Sequence, residues 1–278
     1  PDLEFRLVTS SIVLHQHDDR HDRRDPVARA RRQLPLLERA AREEPEEPFH
    51  RYNLGVALDR LGLHDEAEAV LRRAIKRSPR RASWKASAYT ALSRSVAAQG
   101  RPDEAVKQSR AATKAAPDWA YGWCILGAAL VDTGRWKAAL RAYTRALDCT
   151  ESTWLAGGEF DDTAWQVRAG MGKIHLAQEE YWQAIECLDG AVARRPGDAE
   201  LRVWLARAYE AVGRPADALQ QLERVTTMAR AGTDAYVAIG DFFMRKAEDA
   251  LLRGLADNAE SRALLERIER LRASGAMA

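Results

Sequence analysis

The chain has 278 residues, with 43 Lys and Arg against 41 Asp and Glu, and 46% of it is hydrophobic. That balance suits an ordered polypeptide and argues against a dedicated nucleic-acid binder, which carries a strong basic excess. No apolar run approaches the roughly 20 residues that span a bilayer, and Cys124, Cys149 and Cys187 are too far apart for structural zinc or a disulfide framework, so no membrane partner is expected and a reducing, cytoplasmic setting is.

Residues 1–25 open on PDLEF, without a basic and apolar leader. Pro1 in place of Met is what a piece of a longer protein would show. A strand-like run, LVTSSIVL, then gives way to HQHDDRHD. In an extended segment His15 and His17 would point the same way, a geometry that could begin a metal site with Asp18, Asp19, His21 and Asp22. A polar, irregular segment is the plainer account, because histidine ligands need a geometry that an acid-rich stretch need not supply. No metal and no cofactor are expected.

Asp25-Pro26 then starts a helix, with Asp as cap and Pro in the first turn. Pro35 either kinks this helix or marks its true start. Beyond it, one set of small and large residues recurs in register. The first copy has Leu54-Gly55, Leu58, Gly62, Ala67, Leu71, Ala74 and Pro79. The second has Leu92-Ser93, Val96, Gly100, Ala105, Ser109, Ala112 and Pro117. The third has Leu126-Gly127, Leu130, Gly134, Ala139, Tyr143 and Ala146. The fourth has Met171-Gly172, His175, Ala184, Leu188, Ala191 and Pro196. The fifth has Leu205-Ala206, Tyr209, Gly213, Ala218, Leu222 and Val225. Extra residues around Trp84 amount to about one helical turn and predict a longer first helix in the second copy. The insert WLAGGEFDDTA, residues 154–164, reads as a loop whose Asp162 or Thr163 caps the next helix.

The segments at 52–79 and 123–147 resemble the tetratricopeptide repeat, a helix–turn–helix of about 34 residues. The resemblance implies an all-α fold: a right-handed superhelix, or α-solenoid, of about five full repeats. The divisions are an irregular segment 1–25 and an array 26–232. The array holds a half repeat 26–47 and repeats 48–81, 86–119, 120–153, 165–198 and 199–232. A divergent repeat and capping helix fill 233–278, where Leu264, Ile268 and Leu271 form one apolar stripe amid charges, suiting a terminal cap that would solvate the open end of the stack. Physics accounts for the residue choices. Small residues at the eighth and twentieth positions let paired helices approach closely. Gly62, Gly100, Gly134 and Gly213 suit a left-handed closing residue. Asp65, Asp103 and Asp217 would cap the second helices and meet the positive end of their dipoles. Pro79, Pro117 and Pro196 stop those helices.

Residues with chemical potential are few, and no catalytic residue is assigned. No phosphate-binding glycine loop is present. Asp161-Asp162 reads as a cap, His175 as a satisfied interior histidine, and the cysteines have no paired His. Most of the eight Trp suit core or loop-anchoring roles, with Trp123 at a position where the family packs a Trp. Trp154 with Phe160 is the candidate exposed anchor in the loop.

In tetratricopeptide stacks the first helices line a concave groove, with positions two, five, nine and twelve inward. The resemblance therefore places Phe49, Tyr52, Arg94, Tyr121, Lys173 and Arg207 in a partner-binding groove. Arg94, Lys173 and Arg207 share position nine and could form a basic ladder for an acidic peptide. The Lys, Asn and Arg pattern of the chaperone-tail clamp is absent, since Tyr52 and Val56 stand there. A second resemblance covers residues 1–55. Leu36-Leu37-Glu38, Pro45, Pro48-Phe49 and Leu54-Gly55 are similar to the junction before the repeat tail of bacterial family 2 glycosyltransferases. The turn reads HQHDD in place of the family's H-x-G-Y, and the nucleotide-sugar domain is missing.

The sequence thus predicts a non-enzymatic scaffold that binds a protein or peptide partner in a groove. The alternative is the non-catalytic tail of a glycosyltransferase, positioning an acceptor or mediating dimerisation. Self-association through a terminal helix is a third option.

Overall fold

The computed structural model describes residues 26–79, 82–149, 163–228, 233–257 and 262–273. Among these residues there are thirteen α-helices and no strand. The chain divides into two compact units, Pro1–Val167 and Arg168–Ala278. The first contains α1 (Pro26–Glu43), α2 (Pro48–Arg60), α3 (His64–Arg77), α4 (Lys85–Ala98), α5 (Pro102–Ala115), α6 (Ala120–Asp132) and α7 (Trp136–Asp148). Helix α8 (Ala164–Ala177) begins in the first unit and ends in the second. The second continues with α9 (Tyr181–Arg194), α10 (Ala199–Ala211), α11 (Pro215–Thr226), α12 (Thr233–Asp257) and α13 (Arg262–Ala273).

Pairing follows the repeat. Helix α2 packs on α3, α4 on α5, α6 on α7 and α10 on α11. First helices also pack on one another, α2 on α4 and α4 on α6, forming one face of the first unit. The close approach is set at two positions. Ala67, Ala105, Ala139, Ala184 and Ala218 are all fully buried. Across from them, a Cβ at Gly55 would lie 2.5 Å from Leu71, at Gly127 2.4 Å from the Tyr143 ring, and at Gly172 2.6 Å from Leu188. In the second repeat both partners are Ser. Ser93 and Ser109 share a hydrogen bond of 2.6 Å, and their hydroxyls lie 2.9 and 2.8 Å from the Ala105 carbonyl; with one proton apiece, one donates to its partner and the other to that carbonyl, so both buried hydroxyls are satisfied.

Each first helix closes the same way. Gly62, Gly100, Gly134 and Gly213 have φ of 77°, 75°, 69° and 75°. The next N–H bonds back to a carbonyl five residues earlier: Leu63 to Leu58, Arg101 to Val96, Arg135 to Leu130 and Arg214 to Tyr209. This is the six-to-one closure that satisfies orphan carbonyls. In the fourth repeat Glu179 takes the left-handed conformation at φ 61°, with the same bond from Glu180 to His175. No glycine marks that site in the sequence.

Two expectations change. Helix α4 has 14 residues against 13 in α2, so the extra residues around Trp84 do not lengthen it. They lie in the α3–α4 connection, where Ala82 and Lys85 donate to the Pro79 and Ala82 carbonyls. Asp65, Asp103 and Asp217 are not caps. They stand in the first turns of α3, α5 and α11, whose capping positions make no side-chain bond. Their effect is on the helix dipole, and Asp103 and Asp217 also pair with Arg135 and Arg214 at 2.7 and 2.8 Å. Side-chain caps appear instead at Glu47, which accepts from Phe49 N–H at 3.0 Å, and at Asp198, which accepts from Leu201 N–H at 3.1 Å. Helix α1 runs through Pro35 and buries Ala30 and Leu37 against Ala57. Thr163 immediately precedes α8, and Asp162 lies outside the described residues.

On α3 and α5 an ion-pair cluster links repeats one and two. Glu68 accepts from Arg72 at 2.8 Å and from Arg101 at 2.6 Å, and Arg72 also pairs with Glu104. Burial pushes the Glu68 carboxyl up, but bonds from Arg101, Arg72 and Gln99 together outweigh it and hold it at about 2. A depressed carboxyl contributes stability above its unfolded value and loses it as pH falls through the folded one. The stability difference between the wild type and Glu68→Gln is therefore expected to shrink from about pH 4.5 to about pH 2, as urea melts at stepped pH would show. Gly127→Ala is expected to cost about 1–2 kcal/mol net, since overlap with a rigid ring exceeds the gain in helix propensity. Gly134→Ala has open space around it and should cost about 1 kcal/mol through backbone strain alone. Urea midpoints of the two variants check both figures.

Candidate functional site

The face formed by α2, α4 and α6 brings four of the expected residues into one unit. Phe49 sits in the first turn of α2 and is 42% exposed. Its ring centroid is 5.7 Å from Tyr52 and 6.2 Å from Trp84. Tyr52 and Trp84 stack at 5.1 Å with planes 23° apart. Tyr52 itself is buried and donates its hydroxyl proton to Ser87 at 2.9 Å. The result is a three-ring shelf with a fixed floor and an open edge at Phe49. Offset stacks of this kind add about 0.5–1.5 kcal/mol beyond area burial. Trp84 belongs to the shelf because the extra residues before α4 place it there. Its spacing from Phe49 and Tyr52 carries no periodic signal.

The neighbouring polar group is a closed network. Asp59 is buried, and its carboxylate accepts from Arg94 Nε at 3.0 Å and from Arg94 Nη2. Ser95 Oγ donates to the other oxygen at 2.9 Å. Arg94 Nη1 donates to the Tyr121 hydroxyl at 2.7 Å. Burial disfavours the Arg94 cation, but Tyr121 and Asp59 together outweigh that and push its pKa above the ordinary guanidinium range. Burial raises the Tyr121 phenol, so it stays protonated. Asp59, Arg94 and Tyr121 come from three successive repeats. Arg94 is therefore a clamp between first helices and not the free cation of a basic ladder.

The other two cations lie in the second unit. Lys173 on α8 stands 3.6 Å above the Trp204 ring and 3.7 Å from Glu200. Arg207 on α10 is exposed. Position nine thus holds one locked arginine in one unit and a partly neutralised lysine with an open arginine in the other. Sequence spacing could not distinguish these states, because the partners Asp59, Tyr121 and Trp204 come from other repeat positions.

The remaining candidates carry little chemistry. Trp154, Phe160, Asp161 and the HQHDDRHD segment lie outside the described residues. Among the described residues no group of His, Cys, Asp and Glu is arranged to hold a metal. Burial pushes the Cys124 thiol up to about 12 and raises Cys149 and Cys187, so their thiolates are disfavoured near neutrality. His175 is largely buried, with Nδ1 2.6 Å from Glu180. Trp123 bonds the Pro117 carbonyl at 2.7 Å, and no described helix is long and apolar enough to cross a membrane.

The clamp has a measurable consequence. Arg94→Gln and Asp59→Asn are each expected to destabilise the protein by about 1–3 kcal/mol, the range for bonds to charged groups. The double variant should cost clearly less than the sum, by a coupling of at least about 1 kcal/mol in a double-mutant cycle. Additive losses would mean that the pair does not act as a unit.

Comparison with known proteins follows the repeat geometry. Tetratricopeptide-repeat family profiles match residues 28–82 and 90–152, and a second profile of that family matches 167–240. No curated protein sequence matches the chain. Among solved structures, Cut9 with Hcn1, described as the APC/C hetero-tetramer, aligns with a TM-score of 0.65 at 14% identity, over 87% of this chain and 46% of that one. TTC0263, a thermophilic tetratricopeptide-repeat protein of Thermus thermophilus, aligns with a TM-score of 0.51 at 21% identity, over 67% of this chain and 98% of that one. At these identities the likeness is one of fold. The matches concern the repeats and do not extend to the glycosyltransferase-tail resemblance of residues 1–55. The recurring small residues, the shared helix closure and the profile matches together make this chain a member of the tetratricopeptide-repeat family.

Proposed function

We propose that the chain is a protein-interaction scaffold without catalysis of its own, and that the aromatic shelf of the first unit anchors a bulky apolar side chain of a partner peptide. The observation that carries this reading is the half-exposed Phe49 ring beside the Tyr52–Trp84 stack. An aromatic edge held by a buried floor supplies contact area at low entropy cost, the property of residues that dominate interfaces. The Asp59–Arg94–Tyr121 clamp supports it by fixing the spacing of α2, α4 and α6. A rigid face loses less freedom on binding.

A second reading is capture of an acidic segment by the second unit. The exposed Arg207 and the Lys173 ammonium over Trp204 favour it. Arg94 does not, since its charge already meets Asp59.

Panning a phage-displayed random peptide library on the purified full chain separates the two. Peptides sharing a bulky apolar residue should be enriched, and Phe49→Ala should weaken them by about tenfold or more, the usual loss for a central anchor. Enrichment of Asp- and Glu-rich peptides, bound equally by Phe49→Ala and lost in Lys173→Glu with Arg207→Glu, would replace the aromatic anchor by the acidic reading.

A further inference from the structure

Five repeats close their first helix with a left-handed residue at the fifteenth position, namely Gly62, Gly100, Gly134, Glu179 and Gly213. The same register places Ala247 there in α12. Ala does not favour that conformation, and α12 continues to Asp257 as one helix of 25 residues. Its eighth position is Gly240, preceded by Ile239 as Gly55 is by Leu54 and Gly127 by Leu126. At Gly55, Gly127 and Gly172 the following helix fills the space with Leu71, Tyr143 and Leu188. At Gly240 no described residue lies within 4 Å of the Cβ position. Helix α13 packs on α12 but leaves this slot open. Among the described residues the sixth unit therefore has the socket of a repeat and no second helix in it.

The surroundings of the socket are apolar. On the inner side of α12, Ile239 and Phe242 are buried, and the helix packs on α10 and α11. On the outer side Tyr236, Gly240, Phe243, Ala247 and Ala250 are all exposed, Tyr236 and Phe243 by half. Their spacing of four and three residues is that of a coiled-coil seam. None of them is charged, and the exposed Val237 and the half-buried Met244 and Leu251 extend the strip on one flank.

The strip is complementary to its own reverse. Read towards the C-terminus it runs Tyr236, Gly240, Phe243, Ala247. An antiparallel copy centred between Asp241 and Phe242 puts Phe243 opposite Gly240 and Tyr236 opposite Ala247. Each ring then meets a small residue twice, once in each direction, as a two-fold contact requires. We propose that a second copy of this chain docks antiparallel on α12, with Phe243 of each protomer in the Gly240 socket of the other. Small residues at both sockets allow the axes to approach to about 8 Å. An unrelated helix would need no such reciprocity, and the alternation of ring and small residue along α12 supplies it. The contact lies within the second unit and is independent of the aromatic shelf on α2 and α4.

Sedimentation equilibrium of the full chain over a range of concentrations tests this. A monomer–dimer equilibrium is expected, with Phe243→Glu and Ala247→Arg each weakening it by at least about 30-fold, the loss typical of a central interface residue. Circular dichroism melts establish that each variant is folded. Ala247 is exposed, so its variant remains informative if Phe243→Glu unfolds. Gly240→Phe should weaken the dimer similarly, and Gly240→Phe with Phe243→Ala, which exchanges ring and socket, should restore it to within about tenfold of wild type. A chain that stays monomeric at every concentration overturns the proposal, whether another segment or nothing covers the strip. So does a dimer indifferent to Phe243→Glu and Ala247→Arg. A double variant as weak as Gly240→Phe alone overturns the antiparallel register. Peptide selection by Phe49 is read on a different surface, so its failure would leave this result standing.

Discussion

The fold rests on one steric constraint: within each repeat the paired helices must approach closely enough to touch backbone to side chain. A missing Cβ on the first helix and a buried Ala on the second make that approach, and Leu71, Tyr143 or Leu188 fills the slot between them. Interiors packed to crystal-like density have no room to absorb an extra methyl there. The second repeat obeys the same rule by another route. Its Ser93–Ser109 pair is small on both sides and closes the gap with hydrogen bonds. Spacing between repeats follows from this first contact, because a stack transmits the geometry of each pair to the next.

Ion pairs at roughly one-repeat separation add the next level. Arg94 with Asp59, Arg101 with Glu68, Arg135 with Asp103 and Arg245 with Glu210 each join neighbouring repeats within a unit. They differ in weight. Arg135 and Asp103 are both open to water, where such pairs contribute little. Asp59 is buried, and leaving its carboxylate without Arg94 would strand a charge away from solvent. The polar centre of the α2–α4–α6 face therefore serves mainly to align helices, and the adjacent rings are left to meet a ligand. That division explains why a residue at a ligand-reading position of the family can be structural here.

The end of the array shows the same rule by its exception. Where the left-handed residue is absent, at Ala247, the first helix does not stop, and no described helix returns over Gly240. A socket that three repeats fill internally, at Gly55, Gly127 and Gly172, becomes a surface feature. Repeat proteins need their terminal faces covered or made polar. Helix α12 keeps an apolar strip, Tyr236 to Ala250, at the place where a neighbouring helix would otherwise lie.

The sequence by itself determined the helix pairs, their order and most of their ends. Small residues, left-handed glycines and prolines act through local sterics, which residue identity settles without reference to the rest of the chain. It missed Glu179, because a non-glycine residue in that conformation is held by the bonds around it and not by its own preference. It misassigned the extra residues near Trp84 to a helix, since a count of residues does not say whether they wind or turn. Only the tertiary structure decided which groove residues are free. Arg94, Lys173 and Arg207 share one repeat position, yet one is clamped, one covers a Trp ring and one is open. That outcome depends on side chains about one repeat away in sequence, and no local preference encodes which neighbour a long flexible cation will reach.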